Sequence, residues 1–356
     1  MAIRPVLYVL KLIDLSLIQT MKKIKLALLG IGRIGKIHFA NIRQNIPNAE
    51  IVAVSAAHQL KEDFIKEYGN FFFSNNPEDV ISYPDVDAVL ICTSTSTHAD
   101  LIEQAIARGK HVFCEKPMDL SLERTTALAH TIEKSANKVM VGFNRRFDPD
   151  MMQAKKSVSE GRIGNVQIIK ITSRDPGLPS ADYIKTSGGL FMDMAIHDFD
   201  MARYIMNKEV VEVFSKGLVL VDDVVRQAND VDTALTTLTF DDGTYAVIDN
   251  SRKAVYGYDQ RLEIFGDKGM IQVGNNLHHH NIIYNGQGIR YALPLDFFLN
   301  RYAKSYLLEM ELFVNALEKD QPMPAGVNDG LQATRIAVAA KISVQEKRPV
   351  KLEEIK

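Results

Sequence analysis

The chain has little that would brace it covalently or bias its charge. Two cysteines in 356 residues, Cys92 and Cys114, cannot build a disulfide framework. Both lie in apolar, strand-like runs, where a small thiol packs as core, and this usage suits a reducing cytoplasm. A formal net charge of -2 leaves no electrostatic case for nucleic acid or an anionic membrane as partner. Residues 1–20 are apolar, but Lys11 and Asp14 interrupt them and no small-residue cleavage pattern follows. They read as neither a signal peptide nor a membrane span, and no function is assigned to this extension. Internal repeats and low-complexity tracts are lacking. No metal is expected: His278-His279-His280 would alternate faces in a strand, and no cysteine or carboxylate cluster accompanies it.

What is present is an ordinary globular composition, 46% hydrophobic and 24% charged, in a chain long enough for two domains. Short apolar runs at 24–29, 50–55, 88–92, 111–114 and 138–143 read as strands. Amphipathic segments fill the gaps, such as 98–108, with Leu101, Ile102, Ala105 and Ile106 on one stripe and Gly109 placed to end the helix. This alternation predicts an α/β Rossmann domain, a doubly wound parallel sheet, over 21–143.

Over 144–356 the pattern changes. Asp148-Pro149 reads as an N-cap and first-turn proline opening a helix to 160, followed by a strand over 165–173. Asp241-Asp242-Gly243 separates strand runs at 233–240 and 244–250; Gly266-Asp267-Lys268-Gly269 separates 261–265 from 270–273. These hairpins predict an α+β domain with a large, mostly antiparallel sheet. One face of that sheet needs a cover, either helices or another subunit, so a homodimer or homotetramer is expected. Helical patterns over 295–318 and 329–345 close the chain and are placed to pack back on the first domain. The apolar stretch 336–340 reads as helix packing.

Three segments carry chemistry. Gly30-Ile31-Gly32-Arg33-Ile34-Gly35 follows the first strand and opens a helix. Its glycines permit a tight turn, close approach of a pyrophosphate and close helix–strand packing, while the helix N-terminus supplies amide donors. The carboxylate that would hold a ribose 2′-hydroxyl is missing, because Ala56 stands at the end of the second strand. Its loss removes the repulsion that excludes a 2′-phosphate. No arginine follows the second strand to attract one, although Ser55, His58 or Arg33 of the glycine loop could help hold it. NAD is expected, with NADP or dual use left open.

Next, Cys114-Glu115-Lys116-Pro117 puts a lysine at the carboxyl edge of the parallel sheet. There an ammonium faces the ligand crevice and can favour a developing alkoxide. The third segment, Gly188-Gly189-Leu190-Phe191-Met192-Asp193-Met194-Ala195-Ile196-His197-Asp198-Phe199-Asp200, reads as helix. It would place Asp193 and His197 on one face with Asp200 a turn further on. An imidazole oriented by a carboxylate is suited to removing a proton from a substrate hydroxyl.

These segments, with Gly142-Phe143-Asn144-Arg145-Arg146-Phe147, occur in an order and spacing that resemble the glucose–fructose oxidoreductase / inositol dehydrogenase / MocA family. The resemblance covers nearly everything from Met21 onward. Within the family, the stretches at 142–149, Thr172-Ser173-Arg174-Asp175-Pro176, and 250–260 look most like inositol 2-dehydrogenases. The resemblance implies that Lys116 polarises the substrate hydroxyl and His197 accepts its proton as hydride moves to a nicotinamide. Asp193 would then orient His197 and stabilise its charged form. It further implies substrate contacts from Asn144, Arg145, Asp175, Asp200 and Tyr258, with Arg146 divided between that role and a domain-junction salt bridge. Cofactor contacts are implied for Ile31, Arg33, Ile34, Ser55, Thr93, Ser94, His98, Glu115 and Lys116. The implied substrate is a small polyhydroxylated ring, myo-inositol oxidised at carbon 2. Another polyol or aldose, an NAD-retaining glycosidase and a non-catalytic sensor remain alternatives.

Overall fold

A computed structural model describes residues 23–355 except 59, 61–63, 65, 67 and 68. The 1–20 extension lies outside the described residues. Strands β1 (Ile24–Leu29), β2 (Ala49–Ser55), β3 (Phe72–Ser74), β4 (Ala88–Ile91), β5 (His111–Glu115) and β6 (Val139–Gly142) form a parallel sheet in the order β3-β2-β1-β4-β5-β6. Leu26 to Leu29 and Ala88 to Ile91 are wholly buried, as central strands covered on both faces require. Helices α1 (Arg33–Asn45), α2 (Pro77–Ile81), α3 (His98–Ala107) and α4 (Leu122–Glu133) connect these strands. Strand order reverses between β1 and β4, the place where a doubly wound sheet opens a ligand crevice at its carboxyl edge. The glycine loop, β4's outgoing loop and Lys116 all lie at that edge.

The second sheet runs β12-β11-β7-β10-β9-β8-β15. Its strands are β7 (Val166–Arg174), β8 (Val210–Leu218), β9 (Thr233–Phe240), β10 (Tyr245–Ser251), β11 (Asp259–Gly266), β12 (Gly269–Val273) and β15 (Val350–Lys351), with a separate hairpin of β13 (Ile283–Asn285) and β14 (Gly288–Arg290). Both expected hairpins form. The central pair β7 and β10 is parallel, inside an otherwise antiparallel sheet. Around the sheet lie α5 (Pro149–Ser159), α6 (Ala181–Thr186), α7 (Ile196–Met206), α8 (Asp223–Gln227), α9 (Phe298–Arg301), α10 (Ala303–Glu318) and α11 (Val327–Glu346). Asp148 caps α5 through the N–H groups of Asp150 and Met151. The helix expected over 295–318 is divided, because Tyr302 leaves helical geometry between α9 and α10.

Helices α10 and α11 return to the first sheet. Helix α10 packs on α1, and α11 packs on α4 and β6, where Val141 N–H donates to Ala325. Residues Ile336, Ala337, Ala339 and Ala340 of α11 are buried. The other face of the second sheet stays open. Across four adjacent strands, Met270, Phe265, Ile168 and Tyr245 are register partners, and all four are exposed. Among the described residues no helix is long and apolar enough to cross a membrane.

Candidate active site

The glycine loop is shaped for a ligand's backbone. Gly30 has φ +91, and a Cβ there would lie 2.6 Å from the Cys92 carbonyl oxygen, so the turn needs glycine. A Cβ on Gly35 would come within 2.0 Å of Gly30's own carbonyl oxygen, which seats α1 hard against the turn. Gly32 differs: a Cβ there would meet nothing within 4 Å. That open ground fronts the first turn of α1, which has no side-chain cap and no acidic residue. Unclaimed N–H donors beside open space fit a pyrophosphate, so the loop fits a dinucleotide.

Several expected cofactor residues work on the protein instead. Both imidazole nitrogens of His98 are engaged by main-chain oxygens, of Pro117 at 2.8 Å and Thr93 at 3.1 Å. His98 is buried and staples the β4 loop to the β5 loop. Ser55 is buried, and its carbonyl accepts the Gly30 N–H at 2.8 Å. Glu115 turns inward to His38 Nε2 at 2.9 Å. Thr93 pairs with Thr97, whereas Ser94 is exposed at the edge. Ile34 packs against a cluster of Tyr258, Tyr302 and Tyr306, and Arg33 lies over the rings of Phe297 and Phe298.

The segment expected to be a regular helix opens with a π-helical turn, Phe191–Ala195, before α7. Both carboxylate oxygens of Asp230 accept the Leu190 N–H, which holds the start of this turn. Bonds from i to i+5 in the π turn break the i,i+4 alignment on which the Asp193–His197 pairing rests. Asp193 therefore has other partners. One carboxylate oxygen accepts from Tyr183 at 2.8 Å, the other from Arg252 at 2.9 Å, and Lys116 Nζ stands 3.6 Å away. Lys116 also donates to the Asp193 main-chain oxygen at 2.6 Å. Among the described residues no hydrogen bond joins Asp193 to His197; Asp193 is paired instead with Tyr183, Arg252 and Lys116. Although burial opposes its charge, Lys116 and Arg252 hold the Asp193 carboxyl below its ordinary range.

His197 sits edge-on to Phe143, with Nδ1 buried and no partner among the described residues. Burial, then the positive charges of Lys116 and Arg145, push its pKa well below the usual histidine value. It is therefore a neutral imidazole at neutral pH. Asp175 lies on the same side, 3.4 Å from Arg252, and burial raises its pKa to about 6 against that cation's pull.

Deeper residues are tied down. Arg145 pairs with buried Asp198 at 2.6 Å and bonds Ser173, while Asn250 holds the other Asp198 oxygen at 2.8 Å. Arg146 grips Asp200 with two bonds, at 2.7 and 2.5 Å. Asp200 has both oxygens engaged by Arg146 and is 1% exposed. Asn144 and Tyr258 are buried behind the cleft. Tyr183 and Arg252 were given no role in advance. Neither residue's distance along the chain from Asp193 signals the contact.

A parallel sheet with a dinucleotide loop, and a lysine, carboxylate and neutral imidazole at its carboxyl edge, define a nucleotide-dependent oxidoreductase. A family model described as "Oxidoreductase family, NAD-binding Rossmann fold" matches residues 24–143, and a "GFO/IDH/MocA C-terminal domain" matches 151–272. The chain belongs to the GFO/IDH/MocA oxidoreductase family. It is 45% identical over 335 residues to a protein of Thermotoga maritima named myo-inositol 2-dehydrogenase, covering 93% of this chain and 99% of that one. It is 44% identical to the inositol 2-dehydrogenase of Rhizobium meliloti, over 92% and 99% of the two chains. A crystal structure of scyllo-inositol dehydrogenase from Lactobacillus casei with bound NAD(H) and scyllo-inositol superposes with a TM-score of 0.87. That chain is 33% identical, and the match covers 93% of this chain and all of that one.

Proposed function

We propose that the protein oxidises a ring hydroxyl of a cyclitol with NAD as hydride acceptor, converting myo-inositol to 2-keto-myo-inositol. The observation that carries this reading is the convergence of Lys116, Asp193 and His197 at the carboxyl edge of β5, beside the glycine loop. NAD held on that loop supplies the hydride acceptor. The Lys116 ammonium, fixed by the Asp193 carbonyl and carboxylate, donates to the reacting hydroxyl oxygen and favours its alkoxide character. His197, neutral and desolvated, takes the hydroxyl proton. Asp175 faces the same space and accepts from a neighbouring ring hydroxyl. Asn144, Arg145 and Tyr258 shape the wall behind it.

NAD is preferred over NADP in this reading. Ala56 offers no charge, its carbonyl is held by Asn75 at 2.8 Å, and Arg33 is stacked on Phe297 and Phe298. The two free cysteines support a reducing, cytoplasmic setting. The exposed row Met270, Phe265, Ile168 and Tyr245 supports a homodimer or homotetramer closed over that sheet face. The deciding experiment follows reduced-nicotinamide absorbance across a cyclitol and sugar panel, with NAD and NADP separately. Myo-inositol with NAD is expected to give the highest kcat/KM. A higher value for an aldose, or no substrate-dependent reduction with either cofactor, overturns the reading.

A further inference from the structure

Beneath the glycine loop three side chains from three separate elements meet, and a fourth, Glu309, is buried within electrostatic range of them. His38 comes from α1, Cys92 from the end of β4, Glu115 from the end of β5 and Glu309 from α10. Donor atoms of His38, Cys92 and Glu115 all lie within 4.8 Å of one another. His38 is wholly buried, its ring edge-on to Phe113 and Tyr306. The fourth group carries the argument. Glu309 is 0% exposed, and neither of its oxygens has a partner among the described residues. It lies one turn from Tyr306 on the α10 face that meets His38, it helps raise the Cys92 pKa, and Glu115 together with burial pushes its own pKa up.

Two carboxylates and a thiol here share one imidazole. Burying that many acidic groups around a single basic one is costly unless protons or a cation neutralise them. One nitrogen, one sulfur and carboxylate oxygens, contracting modestly from the observed spread, match the ligand set of a borderline divalent ion of the zinc class.

We propose that His38, Cys92, Glu115 and Glu309 form a buried site for a zinc-class divalent cation beneath the dinucleotide loop. Binding displaces the Cys92 thiol proton and any proton on Glu309 to solvent, and Cys92 coordinates as thiolate. The ion would brace the loop from behind, because the Cys92 main chain is what Gly30 rests against. Sequence spacing conceals such a site, since its donors stand at 38, 92, 115 and 309.

The test uses the full-length enzyme, freed of metal by a chelator and titrated with Co²⁺ alone. A thiolate-to-cobalt charge-transfer band in the near ultraviolet is expected to saturate at one equivalent. It should vanish in Cys92→Ser and persist in Cys114→Ser. The surface run His278-His279-His280 can bind cobalt but has no sulfur to give that band. Glu309→Gln, which keeps the side-chain shape, is expected to weaken the cobalt titration about tenfold while the band remains. No band in the wild-type protein overturns the site, as does a band that survives Cys92→Ser. An unchanged titration in Glu309→Gln also overturns it and assigns the cluster to proton sharing. None of these readouts depends on which substrate the enzyme oxidises.

Discussion

Lys116 Nζ donates a 2.6 Å hydrogen bond to the main-chain oxygen of Asp193, joining the end of β5 to the π turn ahead of α7. A main-chain acceptor places the ammonium whatever the protonation of nearby carboxyls, and the Asp193 carboxylate lies 3.6 Å from it. In the proposed mechanism Lys116 acts on the reacting oxygen. Lys116→Met is expected to lower kcat about a hundredfold to a thousandfold while leaving the NAD dissociation constant within about twofold. Steady-state kinetics beside a fluorescence titration of NAD checks it. Activity that survives the substitution sinks the mechanism.

The depressed pKa of His197 has two consequences of definite sign. As a proton acceptor it must be neutral, so its acid limb in kcat/KM falls below the ordinary histidine value of about 6.5. For folding, the unfolded chain takes up a proton near that value and the native state resists it. Stability is therefore present above about 6.5 and declines as pH falls toward the depressed native pKa. His197→Gln should abolish turnover and flatten that decline. Thermal melts of both proteins between about pH 7 and pH 5 measure the difference.

Asp175 behaves in the opposite sense. Burial raises its pKa to about 6, so its carboxylate is lost on mild acidification. If it accepts a substrate hydroxyl, KM for the cyclitol should rise as pH falls through about 6 while KM for NAD stays flat. Asp175→Asn is expected to have a high, pH-independent substrate KM in that range. A wild-type substrate KM that does not vary there removes Asp175 from the pocket.

What could be read from the sequence divides along a physical line. Strand β1 was delimited to the residue, and the glycine loop and Lys116 were placed, because burial period and turn chemistry are local properties. The helix carrying Asp193 and His197 was found, but its π turn was not. Apolar spacing in Phe191, Met192, Met194 and Ala195 is compatible with either winding, and Asp230, which holds the turn's start, is 40 residues away from Leu190. Tyr183, Arg252 and Glu309 escaped for the same reason, since their meaning lies in partners brought by other elements.

Arg146 and Asp200 test this division directly. Two short bonds in a fully buried setting make Asp200 the counter-ion of Arg146, with Asp329 also reaching Arg146 at 2.9 Å. Asp200→Asn leaves the guanidinium underpaired and is expected to cost about 3–5 kcal/mol of stability. Substrate KM, measured well below the lowered melting temperature, should stay within about twofold. A raised KM with unchanged melting would return Asp200 to the pocket.

The glycine loop offers the sharpest contrast, because two of its glycines answer to different neighbours. A methyl on Gly35 would collide at 2.0 Å with the carbonyl of Gly30, so Gly35→Ala must displace α1 or the turn itself. It should lower the melting temperature and NAD affinity together. A methyl on Gly32 meets no protein atom within 4 Å, so Gly32→Ala is expected to fold with an unchanged melting temperature. The space it fills is the approach to the free N–H groups of α1, where a pyrophosphate would sit. Its NAD dissociation constant should rise about tenfold or more, equivalent to about 1.4 kcal/mol. Calorimetric melting and NAD titration on the two variants separate the roles. Equal NAD affinity in Gly32→Ala and the wild type would show that the cofactor does not cross this loop.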